Sequence, residues 1–105
     1  MARLTLEELQ AQYPPANREE YDRARAAAAL AGQVAELVYA MRAQAAITQA
    51  ELARRIGTTQ SSIARVEGGG SLPSIDMLAR IARATGATLR LVAPGVVDID
   101  ITAGG

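Results

Sequence analysis

Three short helical stretches, each with a polar cap before it and a glycine after it, dominate the middle of the sequence. Thr and Ser side chains accept hydrogen bonds from the free N–H groups of a first helical turn, and glycine adopts the left-handed conformation that ends many helices. The pattern predicts helices over 49–56, 60–67 and 75–85. Their caps and stops are Thr48 and Gly57, Thr59 and Gly68-Gly69-Gly70, and Ser74 and Gly86.

The first two of these helices are joined by a tight turn, which restricts how they can pack. Glu51 stands three residues after Thr48, where it predicts a reciprocal capping box. The apolar side chains are expected to point inward and to hold the two helices at a fixed angle. They are Leu52, Ala53, Ile56, Ile63 and Val66.

That packing leaves one face of the second helix free, and this face is the candidate functional surface. It carries Gln60, Ser61, Ser62 and Arg65. In DNA major grooves, Gln pairs with adenine, Arg with guanine, and Ser with either base. A solvent-facing helix without such a role would more usually carry Glu and Lys pairs. The pattern therefore predicts contact with base edges.

Composition excludes several classes of function. The chain has 105 residues and lacks Phe, Trp, Cys and His, so its core must consist of Ala, Leu, Ile and Val. Without Cys and His, the usual zinc and haem ligands, the thiol nucleophile and the commonest general base are missing. We therefore expect that the protein is not an enzyme. We also expect no catalytic residues, no metal site and no cofactor. The absence of cysteine, of a secretory signal and of a long apolar run predicts a cytoplasmic protein without a membrane span.

The N-terminal third predicts an arm followed by a helix. Pro14 and Pro15 restrict the backbone before the helix, Asn17 is the predicted N-cap and Glu20 follows three residues later. Apolar residues at helical spacing continue to about residue 44, although Gly32 weakens the pattern. The sequence favours one continuous helix that bends at Gly32, and two helices hinged there are the alternative.

Beyond Gly86 the apolar pattern changes to alternation. Residues 88–92 and 96–101 alternate around a Pro94-Gly95 turn, which predicts one or two strands that need a partner. We thus predict three regions: an arm and helix at 1–33, a helical domain at 34–87 and a strand-forming tail at 88–105.

Charge is unevenly distributed, although its sum is zero. Residues 34–93 carry seven Arg against four acids, or +3, whereas residues 1–33 sum to −1 and the tail from Pro94 to −2. A basic middle between acidic ends is compatible with binding a polyanion.

The middle of the chain resembles the phage repressor and Cro type of helix-turn-helix, also called the xenobiotic-response-element family. The resemblance covers roughly residues 34–93, and three runs of sequence carry it. They are Thr48 to Ala53, Gly57 to Ile63, and Val66 to Gly69.

This resemblance implies a lambda-repressor-like, mainly α fold and binding to a double-stranded DNA operator. It implies base contacts by Gln60, Ser61, Ser62 and Arg65. It further implies that Gln49 and Thr59 hold phosphates. Thr48 is a cap first, and the helix N-terminus that it caps can also bind a phosphate of the DNA. Arg42 and Glu67 match a structural ion pair of that family.

The ends of the chain suggest which regulator this is. A helical N-terminal extension and a strand-forming tail are similar to HigA-type antitoxins, whose dimers repress their own operon and neutralise a messenger-RNA endonuclease toxin. The resemblance thus implies a homodimer with a toxin partner. A stand-alone dimeric repressor is the first alternative, and an interaction module without DNA binding is the second.

Overall fold

The structure, a computed structural model, describes Thr5, Glu7, Glu8, Ala11 and residues 15–104. The elements in residues 15–104 are helices α1 (Pro15–Ala45), α2 (Gln49–Ile56), α3 (Gln60–Glu67) and α4 (Ile75–Thr85), and strands β1 (Arg90–Ala93) and β2 (Val97–Asp100). The predicted class, mainly helical with a short C-terminal β segment, is confirmed. Most of the predicted N-terminal arm lies outside the described residues.

Helix α1 is continuous through Gly32, as the favoured interpretation of the sequence predicted. The prediction of Asn17 as its N-cap is wrong, because the helix begins at Pro15 and Asn17 lies within its first turn. Proline suits the first turn of a helix, since it lacks the N–H that would have no partner there.

The chain divides into two compact units, Met1–Leu30 and Ala31–Gly105. The three predicted regions remain a prediction.

The predicted caps of the three short helices are confirmed. Thr48, Thr59 and Ser74 each accept a hydrogen bond from the backbone N–H three residues later, at 3.0, 3.1 and 3.0 Å respectively. The predicted return contact from Glu51 to the cap is wrong. Its carboxylate instead accepts hydrogen bonds from Arg54 and Arg55 one turn further along α2.

All four helices end in the same backbone motif. A residue with positive φ follows each helix, directly after α1, α2 and α4 and one residue later after α3. The N–H of the next residue donates to the carbonyl five residues before it. These two features define the Schellman motif. The positive-φ residues are Ala46 (58°), Gly57 (72°), Gly69 (74°) and Gly86 (76°).

The core lies in the second unit and is aliphatic. The predicted inward-facing residues of α2 and α3 are all buried, and Leu52 and Ile63 have no exposed surface. Helices α1 and α4 complete the cluster with Val38, Met41, Leu78, Ile81 and Ala82. No side-chain nitrogen or oxygen in the described part is buried without a hydrogen-bond partner.

The strands form an antiparallel hairpin in which Leu91 pairs with Ile99 and Val92 with Asp98. Its turn has Pro94 and Gly95 at the central positions, and the N–H of Val96 donates to the carbonyl of Ala93 at 2.9 Å. One face carries Arg90, Val92, Asp98 and Asp100, and the other is wholly apolar. The apolar face consists of Leu91, Ala93, Val97 and Ile99, all exposed.

Candidate nucleic-acid interface

Helix α3 is oriented by the residues it buries. Ile63 and Val66 pack into the core against α2, and the cap at Thr59 fixes where α3 starts. In a helix, residues three and four apart share a face, so burying 63 and 66 turns the remaining positions outward. The orientation of α3 therefore follows from its apolar spacing.

The four predicted base-contacting residues lie on that outward side. Gln60, Ser61 and Arg65 are exposed, and Ser62 is half-buried. Within the part of the chain that the structure describes, their side chains make no hydrogen bond or ion pair. Their donors and acceptors are thus available to a ligand.

The three predicted phosphate-contacting residues occupy helix N-termini. Thr48 and Thr59 are exposed caps of α2 and α3, and Gln49 is the half-buried first residue of α2. A helix N-terminus combines free N–H groups with a partial positive charge, and both favour an anion. The Gln49 side-chain amide donates to Glu67 Oε1 at 3.2 Å, and this hydrogen bond restricts the Gln49 side chain. The second hydrogen of the amide nitrogen can still donate to a phosphate.

Arg42 and Glu67, paired by the sequence analysis, form a two-pronged ion pair between α1 and the end of α3. Arg42 Nε donates to Glu67 Oε2 at 2.7 Å, and Nη2 donates to Oε1 at 2.9 Å. The third prong, Nη1, donates to the Ile47 carbonyl at 2.9 Å. Only 17% of the Arg42 side chain and 6% of the Glu67 side chain are exposed. Such a pair fixes direction as well as distance.

Both partners of this pair have shifted ionisation. The hydrogen bonds from Arg42 lower the pKa of Glu67, and burial offsets part of that shift. In return, the Glu67 carboxylate raises the pKa of Arg42. Both groups are therefore charged throughout the physiological range.

The Arg42 guanidinium also lies under an exposed aromatic ring. The Tyr39 ring centroid is 5.3 Å from Arg42 Cζ, which is within range of a cation–π contact. A shallow groove runs beside it along α1 and the end of α3. Its lining residues are Gly32, Ala35, Glu36, Tyr39, Glu67, Gly68 and Gly69.

Sequence reasoning missed two arginines that join α2 to α4. Arg80 Nη2 donates to the Ile56 carbonyl at the end of α2, and Arg55 Nη1 donates to the Ala84 carbonyl near the end of α4 at 3.0 Å. Each guanidinium thus satisfies a carbonyl that a helix end leaves without a partner. Arg55 lies in the last turn of α2, where a basic residue is a known sequence signal, whereas Arg80 lies in the middle of α4 and gave no such signal. The contacts themselves depend on tertiary packing.

Two further observations limit the chemistry of the described residues. They contain no group of three or more acidic side chains that could hold a metal ion, and none of their helices is long and apolar enough to cross a membrane.

The sequence from Gly57 to Ala79 holds one cation, Arg65. Any attraction of α3 and its flanking loops for an anion therefore depends on Arg65 and on backbone N–H groups.

Comparison with known proteins agrees with this geometry. A helix-turn-helix family model matches residues 38–92, just over half of the chain, from the last two turns of α1 to β1. No curated protein and no solved structure matches the chain. The matched region contains the three capped helices, the turn at Gly57 and the outward face of α3. The chain therefore belongs to the Cro/C1-type helix-turn-helix family of DNA-binding regulators.

Proposed function

We propose that the chain binds a specific DNA operator, with Gln60, Ser61, Ser62 and Arg65 contacting base edges in the major groove. The observation that carries this proposal is the outward face of α3, whose four candidate side chains make no hydrogen bond or ion pair within the described part of the chain. In helix-turn-helix proteins the second helix of the motif lies in the major groove, and the first helix crosses the DNA backbone. Helices α3 and α2 correspond to these two helices. Thr48, Gln49 and Thr59 would hold the flanking phosphates.

Alanine substitution tests the base contacts. We expect Arg65→Ala and Gln60→Ala each to weaken operator binding by about 1–3 kcal/mol, and to relax base preference at one position. Arg83→Ala is the matched control, because Arg83 is exposed on α4, away from α3 in sequence. Binding would be measured by fluorescence anisotropy on the operator and on a base-substituted series. Unchanged affinity and unchanged preference in both test variants would contradict the assignment.

The phosphate contacts have a different signature. Gln49→Ala should weaken binding by a similar factor on every DNA sequence, because phosphates are the same at each position. A loss confined to one base pair would instead place Gln49 at a base edge.

We further infer that the protein acts as a homodimer. One recognition helix covers only a few base pairs, and the apolar hairpin face of Leu91, Ala93, Val97 and Ile99 is exposed in the single chain. A symmetric dimer would place two α3 helices about 34 Å apart on a palindromic operator. Sedimentation should give a dimer at micromolar concentration, and a monomer both on and off DNA would contradict it.

The finer proposal is that the dimer is a HigA-type antitoxin, with a stand-alone repressor as the alternative. The core and the family match both lie after residue 30, so the first unit is surplus to DNA docking. Five acids in that unit are exposed and would complement a basic RNA-cleaving partner. They are Glu7, Glu8, Glu19, Glu20 and Asp22. The sequence adds apolar contact area at Leu4, Leu6, Leu9 and Tyr13, which lie outside the described residues, and at Tyr21, which is half-buried.

Co-expression separates the two candidates. For an antitoxin, the product of the neighbouring gene should arrest growth alone, and should co-purify with this chain and be harmless beside it. Neutralising Glu19, Glu20 and Asp22 together should weaken that protection while operator binding is kept. A neighbour that is harmless by itself would favour the stand-alone repressor.

A further inference from the structure

We propose that Glu67 is a positioning residue for DNA binding, because its carboxylate holds the Gln49 side-chain amide in an orientation that keeps an N–H available to a phosphate. The inference deepens the proposed function and rests on it, since Gln49 is one of the three proposed phosphate contacts. It gives the largely buried pair of Arg42 and Glu67 a role in DNA binding beside its structural one.

The acceptor in this contact has a defined position. Arg42 donates to both carboxylate oxygens of Glu67, at 2.7 and 2.9 Å. Arg42 also donates to the Ile47 carbonyl, so the guanidinium itself is fixed on a third side. Gln49 Nε2 donates at 3.2 Å to Glu67 Oε1, the same oxygen that accepts from Arg42 Nη2. The Gln49 amide is therefore bonded to a group that cannot easily move.

The charge of this acceptor decides which end of the Gln49 amide faces it. An ionised carboxylate can only accept hydrogen bonds, whereas a side-chain amide has a nitrogen that donates and an oxygen that accepts. Gln49 must therefore turn its nitrogen, and not its oxygen, toward Glu67. That nitrogen carries a second hydrogen, and phosphate oxygens accept hydrogen bonds from Gln side chains. An amide turned by half a rotation would lose the bond to Glu67.

The bond to Glu67 also reduces what Gln49 loses when it binds DNA. A long polar side chain gives up rotamer freedom when a contact fixes it. The half-buried Gln49 gives up part of that freedom on folding, because its amide is already bonded. Gln44 is a useful comparison, since it is exposed on α1 and its side chain makes no hydrogen bond within the described part of the chain.

The experiment is a double-mutant cycle on operator DNA, with the wild type, Gln49→Ala, Glu67→Gln and the double variant. Glu67→Gln keeps the size of the side chain, but the new amide can donate as well as accept and no longer selects the nitrogen of Gln49. The substitution also removes a negative charge beside Arg42. That change acts on DNA whether or not Gln49 is present, and the cycle subtracts it.

We expect Glu67→Gln to weaken binding roughly 2- to 12-fold more when Gln49 is present than in the Gln49→Ala background, the range for fixing one flexible side chain. The excess should be the same on the operator and on base-substituted duplexes, because phosphates are the same at each position. Glu36→Gln is the matched control, since it makes the same chemical change at an exposed position of α1 and should show no coupling to Gln49.

One result would overturn the inference and leave the proposed function intact. It is an equal effect of Glu67→Gln with and without the Gln49 side chain, while Gln49→Ala itself binds more weakly than the wild type. Glu67 would then act through the placement of α3 or through its charge. If Gln49→Ala binds like the wild type, the proposed phosphate contact fails, and the inference fails with it.

A measurement on the wild-type protein covers the case in which Glu67→Gln does not fold. NMR relaxation of the side-chain amide nitrogens, without DNA, should show Gln49 to be less mobile than Gln44. Equal mobility of the two amides would overturn the inference.

Discussion

The Glu67 carboxylate accepts hydrogen bonds from side chains on two other helices. Arg42 approaches it from α1 and Gln49 from α2, and Glu67 itself ends α3. A bidentate, largely buried pair of this kind is worth more than a surface ion pair, and removing one partner leaves the other charge without compensation. Glu67 therefore adds polar contacts from α3 to both α1 and α2, beside the core packing of Ile63 and Val66.

Replacing Glu67 with Gln is expected to lower the free energy of unfolding by about 2 kcal/mol, because Arg42 loses its charge-assisted bonds and stays largely buried. Urea unfolding followed by circular dichroism measures the change. Glu36→Gln is the matched control, since Glu36 is exposed on α1 and should change stability little. A similar loss in both variants would rule out a special role for Glu67.

The stabilisation from Glu67 should depend on pH. Its pKa is lower in the folded chain than in the unfolded one, where a Glu titrates near pH 4.3. The contribution is therefore complete above the unfolded pKa and is lost as pH falls through the folded pKa. Unfolding at pH 7 and at decreasing pH below about 4 should show the difference between wild type and Glu67→Gln shrinking. A constant difference would contradict this.

At the scale of the elements, the four Schellman motifs explain why each helix stops where it does. Three of them use glycine, but α1 ends with Ala46 at a φ of 58°. A Cβ makes this left-handed conformation unfavourable by roughly 1–2 kcal/mol. The end of α1 is therefore the strained one of the four.

Ala46→Gly should relieve that strain and stabilise the protein by up to about 1 kcal/mol, after the greater freedom of glycine in the unfolded chain is subtracted. Gly57→Ala should have the opposite sign, because it introduces the same strain at a φ of 72°. Thermal unfolding of both variants gives the comparison. Destabilisation by Ala46→Gly would show that the strain is absorbed elsewhere.

The boundaries of the three short helices were predictable from the sequence because their signals are local, whereas the start of α1 was not. A Thr or Ser cap acts within three residues, and apolar spacing alone turned Ile63 inward and Arg65 outward. The errors came where partners compete. Glu51 has two arginines one turn away, so it binds them rather than the cap. The contact of Arg80 with Ile56 joins residues 24 apart, and no local pattern specifies it.

For the whole molecule, charge distribution sets the expected response to salt. The chain has no net charge, and Arg65 is the one cation between Gly57 and Ala79. Since each neutralised phosphate adds about −0.9 to the slope of log affinity against log salt, we expect a slope of only a few units for operator binding. Titrations from 50 to 200 mM salt measure it. A slope near −10 would reveal many more phosphate contacts than this surface can supply.

The single cation in α3 and its flanking loops also bears on how such a protein would find its site among competing sequences. Weak attraction to random DNA shortens each nonspecific encounter, because that binding is almost wholly electrostatic. Sliding along the duplex would be brief, and most of the search would proceed by dissociation and fresh collision. Discrimination between operator and genome would then come from hydrogen-bond geometry at the bases, so a single wrong base pair would release the protein quickly.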